Sequence, residues 1–305
     1  MAGNGPATDG PSERRNLTVG LLYGAAVIAV FSSFVLISRI GMRTDLQPND
    51  LMALRFGVGG LILLPVFLLH GLAGLRIGDA LALAALSGLG FAMLAYGGIA
   101  RTPATHGTVF LHGTLPLSTI LIVAAYSQRW PSHQRLIGVL AIAAGVLAMA
   151  LDSAAYAGSS QLTGDVMLFA AATSWSAYSV WVRVRKIPAL QAAAIVTVMS
   201  GIVYIPVYVA MSDRGLLQAS LGDLIVQGIF QGIIIGVVSI FVYTRAVTLL
   251  GPTSTALLST TVPALTALLA IPLLGEYPST LVICGIALTT AGMIVALTAR
   301  MNEEL

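Results

Sequence analysis

The stretch HGTLPLSTILIVAAYSQRWPSHQRLIGVLAIAAG, residues 112–145, decides the fold, because residues 259–292 repeat its pattern as STTVPALTALLAIPLLGEYPSTLVICGIALTTAG. Each copy has an apolar run with an early proline, Pro116 or Pro263, followed by a short loop that contains Pro-Ser. A second apolar run follows, with two glycines at matching positions in each copy. One register shared by two helices and a loop indicates an ancient internal duplication.

The repeat extends outward over the rest of the chain. Tyr96 falls on Tyr243, and with small gaps the segment 31–34 (FSSF) falls on 175–178 (WSAY). Each half then holds five predicted helices, and because five is odd, the second half should enter the membrane upside down. This is the inverted-repeat arrangement of many secondary transporters.

Composition independently indicates a membrane protein. Of 305 residues, 57% are apolar and 9% are charged, and the mean hydropathy is +0.92. An average soluble domain is about 25% charged, so a soluble enzyme, a nucleic-acid-binding protein and a disordered chain are all improbable. Cys284 is the single cysteine, which excludes a disulfide framework and a cysteine-based zinc site.

The apolar runs predict an all-α polytopic membrane protein with ten helices, since a span needs about 20 residues. Residues 1–16 are predicted to be a disordered cytoplasmic tail, 17–151 and 164–300 the two five-helix modules, 152–163 an extracytoplasmic linker, and 301–305 a cytoplasmic C-terminus. Four aspartates are predicted N-caps: Asp50, Asp79, Asp165 and Asp223. The predicted helices cover residues 17–39, 50–70, 79–99, 105–126, 134–151, 164–182, 190–211, 223–244, 253–273 and 279–299.

The distribution of basic residues predicts that both termini are cytoplasmic, in an inner membrane of bacterial type. Arg129 and Glu276 are equivalent in the repeat but should face opposite sides, and the cytoplasmic copy is the basic one. The side that holds the termini carries ten basic residues: Arg14, Arg15, Arg76, Arg129, Arg135, Arg183, Arg185, Lys186, Arg245 and Arg300. The other side carries four: Arg39, Arg43, Arg101 and Arg214.

From about residue 17 to 299 the chain resembles the EamA-type drug/metabolite transporters, with one module in each half. The family pattern often has a glutamate in the loop after helix 4, where this chain has Arg129, so the first module diverges. The resemblance implies ten helices, a central cavity between the halves, and export or exchange of small metabolites, often amino acids. The residues that carry it are Arg55, Pro116, Pro263, Glu276, Gly138, Gly145, Gly285 and Gly292.

Pro116 and Pro263 are predicted to lie inside helices 4 and 9. A proline inside a helix frees the carbonyl four residues earlier, here those of His112 and Ser259. These breaks either line the cavity as binding and hinge sites or are packing kinks. Thr108 and Thr255 could bind substrate or bond to their own backbone. His112 could carry a proton or bind a carboxylate, or it could be a neutral core histidine.

Further cavity candidates come from the other helices. Arg55 lies inside helix 2, where we expect a structural or gating role, although it could hold an anion, reach the interface or pair with Asp50. Gln231 points either into the cavity or across a glycine-rich helix contact. The aromatic candidates suit an apolar or aromatic substrate, or they belong to a lipid-interface belt: Phe34, Tyr96, Trp175, Tyr178 and Tyr243.

The leading interpretation is a secondary transporter that works by alternating access, with a small-molecule substrate and the lipid bilayer as its partners. No cofactor, metal or nucleic acid is predicted, since the chain has neither a GxxxxGK[ST] nor an HExxH motif. Proton coupling stays open through His112, and the oligomeric state stays open. Two alternatives are a non-transporting scaffold or channel and an intramembrane serine hydrolase that uses Ser87 with His106 or His112.

Overall fold

The computed structural model describes residues 11–211 and 215–298, which form ten helical stretches. Most are continuous α-helices, and four contain an internal π or 3₁₀ turn. The stretches are α1 Pro11–Gly41, α2 Pro48–His70, α3 Ile77–Ile99, α4 Ala104–Ser127, α5 His133–Ala155, α6 Ser159–Arg185, α7 Ala189–Ala210, α8 Leu221–Leu250, α9 Pro252–Leu274 and α10 Thr280–Thr298.

The polytopic all-α class is confirmed. Within the described residues, eight helices are long and apolar enough to cross a membrane. α6 is not among them, and the apolar part of α10, Thr280–Ala296, is shorter than a full span. The prediction of ten transmembrane helices is therefore confirmed only as a polytopic helical arrangement.

Two predicted boundaries differ from the structure. α1 begins at Pro11, inside the predicted tail 1–16, and the predicted loop 152–163 is helical on both sides of Gly158. Gly158 has a φ of 81°, a left-handed conformation that glycine adopts at low cost. A single glycine thus separates α5 from α6 where composition predicted a long loop. Residues 1–10, 212–214 and 299–305, with Arg214, Arg300 and the C-terminus 301–305, lie outside the described residues, as do the side chains of Arg14 and Arg15.

The N-cap prediction is wrong for Asp50, Asp79, Asp165 and Asp223. Gln47 caps α2, and its backbone N–H donates to the Asp50 carboxylate at 2.7 Å. Ser220 likewise caps α8 and accepts from the backbone N–H of Asp223 at 3.1 Å. Both acids lie three residues after the cap, as in a capping box. Asp79 lies in the first turn of α3, and Asp165 lies in the second turn of α6.

Packing follows the duplication. The equivalent helices α5 and α10 pack against each other, as do the equivalent helices α2 and α7. The contact of α3 with α6 is matched by that of α8 with α1, and the contact of α4 with α6 by that of α9 with α1. The two halves therefore interleave around a pseudo-two-fold axis.

Paired glycines let α5 and α10 touch along their backbones. A Cβ atom added to Gly138 would lie 2.5 Å from the carbonyl oxygen of Gly292, and one added to Gly145 would lie 2.6 Å from that of Gly285. Small residues at a membrane helix interface permit this close approach.

Equivalent loop positions lie at opposite ends of the bundle. The backbone N–H of Ala104, at the start of α4, donates to Oε2 of Glu276 at 2.6 Å. Arg129 follows the other end of α4, which ends at Ser127. Since an α-helix rises about 1.5 Å per residue, the two ends of α4 are roughly 35 Å apart.

Candidate functional site

Pro116 and Pro263 each follow an irregular turn. A π-helical turn, Val109–Gly113, precedes Pro116 in α4, and a 3₁₀ turn, Ser259–Thr261, precedes Pro263 in α9. A Cβ atom on Gly113 would lie 3.9 Å from Cγ of Pro263. The two breaks therefore meet between the halves, where backbone polar groups can be satisfied away from lipid.

A central cavity lies beside these breaks, and about 20 Å³ of it is wide enough for a water molecule. Phe31 and Trp175, which are equivalent in the repeat, contact each other edge to face with ring centroids 5.9 Å apart. The pseudo-two-fold axis therefore passes close to the cavity. His112 stacks on Phe31 with centroids 4.6 Å apart. The lining residues are Phe31, Phe34, Arg55, Phe91, Leu111, His112, Leu115, Trp175, Ile235 and Ser239.

Arg55 is buried in the cavity wall, with 1% of its surface exposed. Its guanidinium carbon lies 5.5 Å from the ring centroids of both Phe56 and Phe91. Nη2 donates to the carbonyl of Ser87 at 3.4 Å, and within the described residues no carboxylate pairs with Arg55. The predicted alternatives of reaching the interface or pairing with Asp50 are wrong, because Asp50 binds Gln47 and Tyr208 instead.

Several buried polar atoms around the cavity have no hydrogen-bond partner in the part of the chain that the structure describes. Both ring nitrogens of His112 are among them, together with Nε and Nη1 of Arg55. More than about 90% of buried polar groups in native proteins are hydrogen-bonded. A concentration of donors without partners around one cavity therefore points to a bound ligand.

An ion-pair cluster closes one end of the bundle, and we call it the latch. Nη2 of Arg39, on α1, lies 2.6 Å from Oε1 of Glu276, and Nη2 of Arg43 lies 3.4 Å from the same oxygen. Arg39 also donates to the carbonyl of Thr102 at 2.5 Å, and Glu276 accepts from Ala104. The latch thus joins α1 and α4 of the first half to the α9–α10 loop of the second.

The model of the EamA-like transporter family matches residues 18–151 and 162–298, which are the two modules. The chain belongs to this family. An EamA protein is built from two such repeats, so the duplication recognised in the sequence is confirmed.

One solved structure, described as "Crystal structure of protein", is similar to this EamA chain at 20% sequence identity and a TM-score of 0.67. The match covers 92% of this chain and 98% of that chain. At this identity the likeness shows a shared fold. No curated protein sequence matches the chain.

Tyr96, Gln231 and Tyr178 form a layer of this EamA protein behind the cavity wall. The Tyr96 hydroxyl donates to Oε1 of Gln231 at 2.7 Å, and the ring of Tyr96 meets that of Phe34 edge to face. Tyr178 shares a hydrogen bond of 2.8 Å with Thr244 and packs against Trp175. These residues orient the aromatic walls, whereas Phe34, Trp175 and His112 line the cavity itself.

The hydroxyl candidates bond to their own helices. Thr108 donates to the carbonyl of Ala104 at 2.9 Å, Thr255 to that of Gly251 at 2.8 Å, and Ser259 to that of Thr255 at 3.1 Å. None of them is among the residues that line the central cavity. The hydrolase alternative has no matching geometry either: among the described hydrogen bonds, Ser87 donates to Leu83 and contacts no histidine.

The end opposite the latch has a different electrostatic character. Arg183, which falls on Arg39 in the alignment of α6 with α1, donates to the carbonyl of Thr248. Arg129, which replaces the latch carboxylate, lines a cleft with Trp130 and Arg135. Among the described residues, neither Arg129 nor Arg183 forms an ion pair. The positions equivalent to Glu276 and Arg39 therefore build no counterpart of the latch at this end.

Proposed function

We propose that this EamA protein is a secondary transporter that exports or exchanges a small metabolite, such as an amino acid, by alternating access around the central cavity. The observation that carries the proposal is a set of polar atoms on Arg55 and His112 that have no hydrogen-bond partner among the described residues and that line a cavity close to the pseudo-two-fold axis. When two inverted repeats rock against each other, a site at their interface can be exposed to either side of the membrane.

The chemistry of the cavity favours a substrate with one carboxylate and an apolar body. A guanidinium binds a carboxylate through two parallel hydrogen bonds, and Arg55 has free donors for this purpose. Phe31, Phe91 and Trp175 provide ring faces for an aliphatic or aromatic side chain. An amino acid with an apolar side chain satisfies both requirements.

We place the protein in a bacterial inner membrane with both termini cytoplasmic and the latch end outside. The charge bias of the loops supports this orientation. Trp130 and Tyr277 are equivalent in the repeat and are 84% and 81% exposed. They flank opposite ends of the bundle, where aromatic side chains favour the two membrane–water interfaces.

The orientation can be tested with single cysteines at these two positions. In a Cys284→Ser background, Trp130→Cys should react with a membrane-impermeant maleimide only from the cytoplasmic side of oriented vesicles. Tyr277→Cys should react only from the opposite side. Because both side chains are exposed, their replacement should leave the fold intact. Labelling of both cysteines from one side would overturn the inverted arrangement.

Transport itself can be tested by counterflow in proteoliposomes loaded with an unlabelled amino acid. We expect labelled amino acids with apolar or aromatic side chains to accumulate inside the liposomes. The unlabelled amino acid inside drives this exchange, because it returns the site to the outer face. The matched control is the double variant Arg39→Cys, Glu276→Cys, whose thiols a bifunctional methanethiosulfonate bridges reversibly. Exchange should stop on bridging and return on reduction. Exchange that continues when the latch is bridged would contradict alternating access.

A further inference from the structure

A second group of ionisable side chains lies buried beside the latch, away from the central cavity. Nε2 of His106 lies 3.4 Å from Oδ2 of Asp152, and Nδ1 lies 3.7 Å from Oδ2 of Asp165. The exposed fractions are 2% for His106, 9% for Asp152 and 1% for Asp165. One imidazole thus separates two buried carboxylates, contributed by the start of α4, the end of α5 and the second turn of α6.

Neutral polar groups complete one side of this cluster. Ser153 donates to Oδ2 of Asp165 at 2.5 Å and lies 3.1 Å from Nδ1 of His106. Gln161 donates to the Ser153 hydroxyl at 2.9 Å. Among the described residues, Oδ1 of Asp165 has no hydrogen-bond donor. A buried carboxylate oxygen without a donor is costly and indicates that this site takes up a positive ligand.

The charge around the cluster favours a bound proton. Within the described residues, His106 is the only basic group that pairs with either carboxylate. With a neutral imidazole, two carboxylates would be buried with no positive group between them, which desolvation disfavours. An imidazolium would pair with both. The charged groups on the neighbouring elements are already engaged: Arg39 and Arg43 bind Glu276, and Arg101, just after α3, donates to the carbonyl of Gly97 near the end of α3.

The cluster is mechanically connected to the latch. Ser279 follows Glu276 in the α9–α10 loop, and its hydroxyl donates to Oδ1 of Asp152 at 2.8 Å. Ala104, which donates to Glu276, begins the helical turn that carries His106. The α9–α10 loop is therefore held both by the latch and by the cluster. If the two halves separate at this end, contacts in both must break.

We propose that His106, Asp152 and Asp165 form a proton-binding site whose occupancy keeps the latch end closed, an inference that rests on the alternating access proposed above. A proton from water at the latch end adds to the imidazole, and the imidazolium bridges the two carboxylates. Loss of that proton to water leaves two buried anions, which gain hydration when the end opens. Because the protonated form stabilises the closed end, low pH favours closure, and closure is lost as the pH rises.

A buried position between the latch and the cavity can report opening. Val35 is fully buried on α1, one turn from both Arg39 and Phe31, and it lies against Gly107 beside His106. We expect Val35→Cys, in nanodiscs, to react with maleimide at least about tenfold faster near pH 9 than near pH 5, since one linked proton changes an equilibrium up to tenfold per pH unit. The rate for glutathione, measured at each pH, corrects for thiol ionisation, and Cys284→Ser removes the native thiol.

Variants of the cluster provide the decisive comparison. In the Val35→Cys background, Asp165→Asn and His106→Gln should make the corrected rate of the introduced thiol independent of pH. Asp45→Asn, which changes an exposed acid at the same end, should leave the dependence unchanged. A pH dependence in both cluster variants like that of the Val35→Cys parent would overturn the proton site. The charge of His106 can also be read from ¹⁵N-histidine spectra of the unmutated chain. If His106 is neutral throughout the pH range in which the Val35→Cys thiol is unreactive, the proton site is overturned.

Failure of the proposed function has a different signature. Glu276→Gln releases the latch, so the thiol introduced by Val35→Cys should then react at every pH. A thiol at this position that stays unreactive even in Glu276→Gln would overturn opening at this end, and with it alternating access.

Discussion

Arg55→Met should lower exchange at low substrate by at least about tenfold while leaving the fold at least as stable as before. The guanidinium is buried without a carboxylate among the described residues, and two of its nitrogens have no hydrogen-bond partner there. Replacing a buried charge by an apolar side chain of similar volume is often neutral or stabilising by about 1–4 kcal/mol. The lost hydrogen bonds to a substrate carboxylate are worth about 1.5–3 kcal/mol, so exchange at low substrate should fall by about tenfold to a hundredfold.

The measurement pairs counterflow with thermal unfolding of the same preparation. Arg101→Met is the matched control, because Arg101 is exposed and, among the described contacts, donates only to the nearby carbonyl of Gly97. The control should change neither quantity. If Arg55→Met unfolds at a lower temperature and still exchanges substrate, Arg55 is a structural residue and not a substrate ligand.

The second large effect is expected from Gly138→Ala, which adds one methyl group to the contact between α5 and α10. That group would lie 2.5 Å from the carbonyl oxygen of Gly292 and 2.7 Å from the backbone nitrogen of Ala296. Neither is a flexible side chain that could move aside, so the helices must separate. Overpacking of this kind typically costs about 1–3 kcal/mol, which denaturant or thermal unfolding in detergent would detect.

Gly60→Ala is the control for this substitution. Its new methyl group would find its nearest neighbour, the carbonyl oxygen of Thr197, at 3.9 Å, an ordinary contact. Alanine also favours helix over glycine by roughly 0.5–1 kcal/mol, so this variant should be neutral or stabilised. Equal stability of the two variants would contradict a backbone contact between α5 and α10.

The architecture was largely predictable because its signals are local and repeated. The register that aligns Pro116 with Pro263 and Gly138 with Gly285 identifies the modules, and apolar runs place the helices. The errors concern short-range detail. Three of the aspartates proposed as caps lie three residues after the actual caps, and Gly158 alone separates α5 from α6.

Some of the residues that line the central cavity were proposed from the sequence. His112, Phe34 and Trp175 were named as cavity candidates, whereas Phe91 and Ser239 were not. Phe91 follows the π-helical segment Ala84–Gly88, and Ser239 ends the π-helical segment Gly228–Ser239. The wider turns of a π-helix rotate the side chains that come after them. Helical periodicity assigns such residues to the wrong face.

The proton cluster was missed because its members come from separate helices. His106 was considered without a carboxylate partner, and Asp165 was interpreted as a cap. The available signal was the position of Asp152 and Asp165 on either side of the junction between the modules. Their approach to His106 depends on how three helix ends converge, which residue spacing in the sequence does not encode.

The latch has a consequence for the energetics of the transport cycle. If the two halves were identical, closing one end or the other would produce the same structure turned over, and the two conformations would be equally populated. The single carboxylate of Glu276, opposed by Arg129 at the equivalent position, removes that degeneracy. On the proposed alternating access, the acid at this loop position and the base at its counterpart therefore bias the resting equilibrium toward closure of the latch end.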